Sequence, residues 1–561
     1  MRILVMQTTR MGDVIQTSPL IRVLRMKHPD AHIALMVRHM GKAIAEHNPD
    51  INEVLVYEED EVFSATRAED SDRLLDAYRC AETEIRRLQE GRYDVVYNCT
   101  HSIASAMLIK LAGIPAVFGA HLSDDWQFVL RGSWIKYFFT SVFHREYNDL
   151  NLCDITQRFA EGVGPCGHLV FEVKPEDGDF VQDLLAQHGI RPQDRVVCFQ
   201  LGASEESKRW SEMHFAGLAR LVKEKLQAKI MLVGVKEEEI LGKIFEQYAP
   251  EIAIPLFGKT SVPQLAALLK RANLLVTNDT GTMHIAAAVD CPVVLVSVGY
   301  VHFRETGPYG AGHCAIERRR SQLGRADSVP GGLSERMEMR PEQVLRAILM
   351  TLQAERDKPV AQIDEDPELA DVDVLMTRIA ADGCLQWYPV LRRSLAQTDF
   401  LRLAYRAMWL EHLAAQTDAE VERLCMEATL RYYILPDKAV IDQWTRDSVS
   451  VLVSLAEMAG RGIQRTEILL NHLDGKRDLK KAQQYVGELK RIDDEMRIHG
   501  ELHSPCKPLV LISRYERDNL EGADPLELAQ TTRQIYEDCR SRALLAAEKI
   551  QRLADQCFSH G

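Results

Sequence analysis

The chain has 561 residues, 46% of them hydrophobic and 27% charged, with a formal net charge of -14. The composition is that of a globular protein too long for one hydrophobic core, so two or three domains are expected, and the negative balance argues against nucleic acid as a partner. The apolar start, residues 2–6, runs at once into Gln7-Thr8-Thr9-Arg10, too short for a signal core or a membrane span, which points to the cytoplasm.

The 12 cysteines are scattered without a Cys-x-x-Cys pair, which favours reduced thiols over a disulfide framework or a zinc site. Cys198 and Cys291 sit in apolar runs and read as small core residues. No metal constellation stands out, and no metal or other cofactor is expected.

Apolar runs alternate with helix-period segments from the beginning. Residues 2–6 read as a strand, and Thr8 to Asp13 turn the chain into a helix marked by Val14, Ile15, Leu20, Ile21, Val23 and Leu24. Strands follow at 32–37 and 54–57, then a helix at 71–89, a strand at 94–97, a helix at 102–111 and a strand at 116–118. Such alternation implies a parallel sheet with helices on both faces. Asp13 falls just beyond the first strand, where open α/β sheets place ligand chemistry. A carboxylate there either takes a proton from an attacking hydroxyl or caps the first helix. Residues 125–145 break the pattern with Trp126, Arg131, Trp134, Lys136, Tyr137, Phe138 and His144, which reads as a lid or acceptor loop, or as a surface connection with partly buried aromatics. A helix at 146–161 and the glycine-rich stretch 162–167, an interdomain joint, close this series.

A second series opens with a strand at 195–200 and a turn through Leu201-Gly202-Ala203-Ser204 to Lys208-Arg209-Trp210, where Trp210 is expected to anchor the turn. It continues as helix 211–225, strand 230–233, helix 237–248 and helix 262–269. The stretch from Leu274 to His284 then reads as strand, turn and helix. Asp279 and Thr280 are good N-cap types and Gly281 permits close approach of the backbone. The turn is therefore either an ordinary capped connection or a helix start whose free amides face an anion, with a diphosphate as the natural occupant. After a strand at 292–296, His302 and Arg304 either meet phosphates or are solvated basic residues.

Arg10-Met11-Gly12-Asp13-Val14-Ile15, Lys208-Arg209-Trp210 and Asn278-Asp279-Thr280-Gly281-Thr282-Met283-His284, in that order, resemble the motifs of glycosyltransferase family 9, the heptosyltransferases of lipopolysaccharide core synthesis. The resemblance implies a GT-B architecture of two Rossmann-like lobes. It makes Asp13 the general base on the acceptor hydroxyl and Lys208 the group that neutralises the departing diphosphate. Ser204, Glu237, Asp279, Thr280, Gly281 and His284 join Lys208 in binding the donor, with Glu237 nearest the place of an acidic residue that grips the ribose. It further implies an inverting transfer of heptose from ADP-heptose, without a metal, to a lipopolysaccharide core-type acceptor at the inner membrane face. Two rivals stand beside it: a glycosyltransferase with a protein acceptor or another sugar donor, and a non-catalytic GT-B binding or scaffold protein.

Beyond Pro341 strand signals fade and apolar residues recur at helical spacing. The fold class expected is α/β, two Rossmann-like lobes at 1–165 and 166–355, followed by an all-α domain at 356–561 with Trp387, Tyr405, Trp409, Tyr432, Tyr433 and Trp444 in its core. Truncation near residue 360 is expected to leave a folded two-lobed core. The basic run from Lys476 to Lys481 reads as a solvated helix face, and the helical pattern at 526–557 as a candidate for a protein partner, self-association or core packing.

Overall fold

The structure, a computed structural model, describes residues 1–57, 71–161, 167–299, 301–319, 339–354, 362–475 and 479–558. The first lobe is a six-stranded sheet of β1 (Arg2–Met6), β2 (His32–Val37), β3 (Glu53–Val56), β4 (Val95–Asn98), β5 (Ala116–Leu122) and β6 (Phe128–Arg131), ordered β3-β2-β1-β4-β5-β6. Its neighbours run parallel except β6, which folds back on β5. The chain leaves β1 toward β2 on one side and returns at β4 on the other. That switch point opens a crevice beyond the strand ends. Helix α1 (Met11–Gln16) starts beside it after β1, and α2 (Ile103–Ala112) starts beside it after β4.

Residues 125–145 do not form a lid. They supply β6 and α3 (Ser133–Ser141), and the aromatic side chains Trp134 and Tyr137 are buried. The helix expected over 146–161 is broken into a turn at Arg145–Tyr147, α4 (Leu152–Thr156) and a final turn at Gln157–Ala160. Short polar side chains explain the break: Asn148 Oδ1 accepts the Leu150 amide at 3.0 Å and Asn151 Oδ1 accepts that of Cys153 at 3.0 Å, competing with helical pairing.

The second lobe's sheet contains β7 (Val196–Gln200), β8 (Lys229–Val233), β9 (Ala253–Pro255), β10 (Leu274–Thr277), β11 (Val293–Val296), β12 (Cys314–Arg318), β13 (Val372–Ile379) and β14 (Leu385–Pro389). The order is β14-β13-β12-β11-β10-β7-β8-β9, with its switch point between β7 and β10. β7 and β10 are buried along their whole length, as strands of a covered parallel sheet must be. Helix α5 (Gly281–Ala288) starts beyond β10, and α6 (Pro341–Gln353) packs against β11 and β12.

The boundary expected at 355/356 does not separate the second lobe from the last third of the chain. β13 and β14 pair antiparallel onto β12 and complete the sheet. Their burial is nearly continuous rather than helical in period, and Trp387 of β14 stacks edge-on against Phe303, ring centres 4.9 Å apart. The helices proper are α7 (Gln397–Ala414), α8 (Ala419–Leu430), α9 (Lys438–Gly475), α10 (Leu479–Leu502), α11 (Lys507–Asp518) and α12 (Pro525–Phe558). The long pair α9 and α12 pack along one another, while α11 lies against α3 of the first lobe. The joint at 162–166, part of the break at 358–366 and residues 476–478 of the basic run lie outside the described residues.

The extension holds both lobes through groups that tolerate little displacement. Tyr405 and Trp409 of α7 face Tyr147 and Tyr137, so these aromatics belong to one continuous core rather than a separate one. Arg406, also on α7, is buried between Asp149 of the first lobe at 3.0 Å and Asp382 at 2.7 Å. Asp154 Oδ1 accepts the Tyr309 hydroxyl of the second lobe at 2.7 Å, and its Oδ2 accepts the Leu385 amide at 3.0 Å. Burial pushes the Asp154 carboxyl up to about 6, against the pull of Arg158 and these donors. Losing one member of a buried ion pair costs about 3–5 kcal/mol, because the partner charge stays behind without water.

A chain ending at residue 361 would lose β13, β14, the Arg406 partner of Asp149 and the Leu385 amide that donates to Asp154. It is expected to be insoluble or to melt without a cooperative transition, followed by circular dichroism; a soluble fragment with a sharp melt would contradict this architecture.

Candidate active site

Two helix starts meet where the lobes face one another. A Cβ on Gly12 would lie 2.9 Å from Cδ2 of His284 and 3.8 Å from the Cα of Gly281, so only glycine allows α1 to approach α5 this closely. Met11 covers Gly281 from the other side. Asp13 thus stands opposite the turn that follows β10.

The Asp13 carboxylate caps its helix with one oxygen. Its Oδ2 lies 2.7 Å from the Thr9 hydroxyl and accepts the Arg10 amide at 3.2 Å, closing the first turn of α1. Both contacts use Oδ2, and Oδ1 makes no hydrogen bond among the described residues, which leaves it for a ligand hydroxyl. The Thr9 hydroxyl is also 2.7 Å from Gln7 Oε1 and has one proton to give.

The turn after β10 is not an ordinary capped connection. Thr280 occupies the N-cap position in extended backbone, yet no side chain caps the helix. Its hydroxyl lies 3.2 Å from that of Thr277 instead, and Asp279 Oδ2 lies 3.8 Å from Lys208 Nζ. The start of α5 therefore keeps its unpaired amides and the positive end of its dipole for an anion. Lys208 is only 17% exposed and its ammonium also lies 4.0 Å from Glu205, both ion pairs being long. A diphosphate between Lys208 and the helix start would supply the closer counter-charge.

Asn278 fastens this arrangement. Its Nδ2 donates to the carbonyls of Leu201 at 2.9 Å and Gly202 at 3.2 Å, and its Oδ1 accepts the Trp210 amide at 3.0 Å, so the turns after β7 and β10 hold a fixed relation. Trp210 is fully buried and donates its indole N–H to Met339, the anchoring part expected of it. Burial holds the His284 imidazole below its usual range, against the opposing pull of Asp279 and then Asp13, so the ring is neutral at neutral pH. Its Nδ1 is buried without a hydrogen-bond partner among the described residues.

Three expectations change. Glu237 is exposed; Glu238 is the carboxylate turned onto the sheet, accepting from Gln200 Nε2 at 2.9 Å and from the Val235 amide at 3.0 Å. It fills the space that side chains on Gly202 and Gly234 would need. The signal is present in the spacing: a glutamate three residues beyond a turn residue folds back to that residue's amide. Arg304 does not face the cleft either. It lies among Arg402, Tyr433, Asp399 and Asp149 at the junction with the extension, where burial, then Arg402, lowers its pKa. Ser204 is exposed in the turn after β7, outside the contacts that tie that turn to β10.

Among the described residues no group of three or more His, Cys, Asp or Glu side chains is arranged to hold a metal ion, and no helix is long and apolar enough to cross a membrane. The described cysteines form no disulfide with one another, and Cys198 and Cys291 are buried in the second lobe's core.

Two Rossmann-like lobes with a carboxylate at one helix start and an uncapped helix start beside a lysine at the other have the GT-B architecture of a glycosyltransferase. Residues 83–323 match the family described as glycosyltransferase family 9 (heptosyltransferase). The chain is 24% identical over 309 residues to lipopolysaccharide heptosyltransferase 2 of Escherichia coli (strain K12), covering 52% of this chain and 82% of that protein. It is 25% identical over 302 residues to lipopolysaccharide heptosyltransferase 1 of the same strain, covering 53% and 87%. The crystal structure of the glycosyl transferase family 9 from Veillonella parvula DSM 2008 shares the fold, with a TM-score of 0.51 and 23% identity over 63% of this chain and 97% of that one.

Gly12→Ala tests the contact between the two helix starts. Displacing His284 or α1 is expected to lower turnover about tenfold or more, since a misplacement of about 1 Å can cost a hundredfold, while the melting temperature falls only slightly. Full activity in this variant would show that the contact is not needed.

Proposed function

We propose that this protein transfers heptose from ADP-heptose to a lipopolysaccharide core-type acceptor at the cytoplasmic face of the inner membrane, with inversion at the transferred carbon. The observation that carries the reading is the uncapped start of α5 beside Lys208, facing Asp13 across one cleft. The names of the relatives supply the sugar and the acceptor class.

In this reading the second lobe holds the nucleotide. Glu238, at the ends of β7 and β8, takes the ribose hydroxyls, the role the resemblance gives to Glu237. The diphosphate lies on the amides of Thr280 and Gly281 with Lys208 Nζ as its counter-charge, and Asp279 binds sugar hydroxyls while steering Lys208. As the glycosidic bond to phosphate breaks, negative charge grows on the diphosphate, where a fixed ammonium and a helix start stabilise the transition state more than the ground state. Asp13 Oδ1 takes the proton of the acceptor hydroxyl as its oxygen attacks the sugar carbon from the face opposite the leaving group. One displacement inverts the centre. His284, neutral, fills the space between the helix starts without adding charge, and exclusion of water by the closed lobes protects the donor from hydrolysis. A scaffold would have no physical need for an uncapped helix start facing an open carboxylate oxygen.

Asp13→Asn keeps an oxygen for the Thr9 and Arg10 contacts but removes the base. Transfer is expected to fall by about 10²–10⁴, with ADP affinity measured by calorimetry nearly unchanged; wild-type turnover would take Asp13 out of the reaction. Lys208→Ala is expected to weaken ADP binding about tenfold or more, the loss of a charge-assisted hydrogen bond. Unaltered affinity in the same titration would remove Lys208 from the diphosphate site.

A further inference from the structure

The turn after β4 forms the other bank of the first lobe's switch point, and it carries a residue with no assigned part. Asn98 fixes the turn from below: its Nδ2 donates to Ala120 O at 2.8 Å and Ser105 Oγ at 3.0 Å, and its Oδ1 accepts the Thr100 amide at 3.0 Å. Thr100 Oγ1 accepts the Thr8 amide at 2.9 Å, which ties this turn to the loop holding Thr9 and Asp13. Ser102 then caps α2 by accepting the Ser105 amide.

Inside this frame His101 has a φ of +54°. That left-handed conformation is strained for a residue other than glycine, and strain of this kind persists where surrounding structure imposes it, often at functional sites. The ring lies against Phe138, centroids 5.0 Å apart, and edge-on to Phe139 at 4.7 Å. Burial pushes the imidazole down to about 4, so it is neutral at physiological pH. Its Nδ1 is buried with no hydrogen-bond partner among the described residues. A bare acceptor is tolerated in that situation better than an orphaned N–H, so the favoured tautomer carries its proton on Nε2 and offers one donor.

We propose that His101 is a positioning residue for the acceptor: from the turn after β4, its imidazole hydrogen-bonds a sugar hydroxyl adjacent to the one that reacts, and so selects which hydroxyl reaches Asp13. The proposal rests on the transferase reading above. A neutral ring bonds a hydroxyl but offers no attraction to a phosphate, so the feature read here is an uncharged part of the acceptor. A ring that only packed between Phe138 and Phe139 would gain nothing from the nitrogen or from the strained backbone, since glycine fits the turn without either.

The test uses the full-length protein, ADP-heptose, and core oligosaccharide released from heptose-deficient lipopolysaccharide. His101→Gly relieves the backbone and removes the ring; His101→Asn tolerates the same φ and keeps an N–H donor. The expected result for His101→Gly is a KM for the oligosaccharide raised about tenfold, the loss of one hydrogen bond, with kcat within about threefold, an unchanged donor KM and no loss of melting temperature. His101→Asn should recover part of the acceptor KM. An unchanged acceptor KM in His101→Gly, or donor and acceptor KM rising together with a fall in melting temperature, would overturn the proposal. Imidazole ¹⁵N spectra of the wild type, with the His101 signals identified by their loss in His101→Asn, separate the two readings. A shift on adding oligosaccharide supports the subsite even if no heptose is transferred, in which case the transferase reading is what fails, and the absence of any shift counts against His101.

Discussion

The imidazole of His284 stands where a side chain on Gly12 would be, and the placement of every reactive group depends on that contact. It brings the first turn of α1 against the first turn of α5, which sets Asp13 on one side of a narrow cleft and an unpaired helix start on the other. Each helix begins beyond a strand at the switch point of its own sheet, β1 beside β4 and β7 beside β10, where the topology leaves a crevice at the strand ends. The chemistry of the site is thus an outcome of two sheet topologies placed edge to edge. His284 is suited to the contact because burial keeps it neutral: a charged ring there would compete with Lys208 for Asp279.

What holds the two lobes in that relation is largely the last third of the chain. The relatives match only about half of this chain, and the remainder contributes β13 and β14 to the second sheet while α7 and α11 grip the first lobe. Arg406 is shared between Asp149 and Asp382, Asp154 between Tyr309 and Leu385, and Arg145 pairs directly with Glu305 across the lobes at 2.9 Å. Charges buried this way tolerate little separation. Separating the two lobes would therefore break these pairs.

The two alternating series, the three motifs and the absence of an early membrane-spanning run are legible in the sequence, because periodicity and glycine turns are local signals. Lys208 lies beside Asp279, Gly12 meets His284 and Gly281, and His284 feels the charges of Asp279 and Asp13, so the three motifs come close together in space. The failures are of a different kind. β13 and β14 read as helix because a strand at the edge of a buried sheet has no alternating pattern to separate it from a buried helix. Glu238 is missed by one residue although its spacing from Val235 carries the signal, because adjacent Glu237 offers the same carboxylate and only the capping contact to the Val235 amide tells the two apart. The charge of Arg304 suggests phosphates, whereas its neighbours Arg402, Asp399 and Tyr433 come from the extension and Asp149 from the first lobe, all remote in sequence. His101 leaves no signal at all, since a positive φ in a residue other than glycine is imposed by the surrounding hydrogen bonds.

The central claim is that the diphosphate of the donor lies between Lys208 and the start of α5, with the transferred carbon turned toward Asp13. Diffraction from crystals of the full-length protein grown with ADP tests it most directly. Density for the β-phosphate within hydrogen-bonding distance of Lys208 Nζ and the Thr280–Gly281 amides, its free oxygens facing Asp13, is the result expected. Nucleotide bound on another face, or a β-phosphate directed away from Asp13, would contradict it.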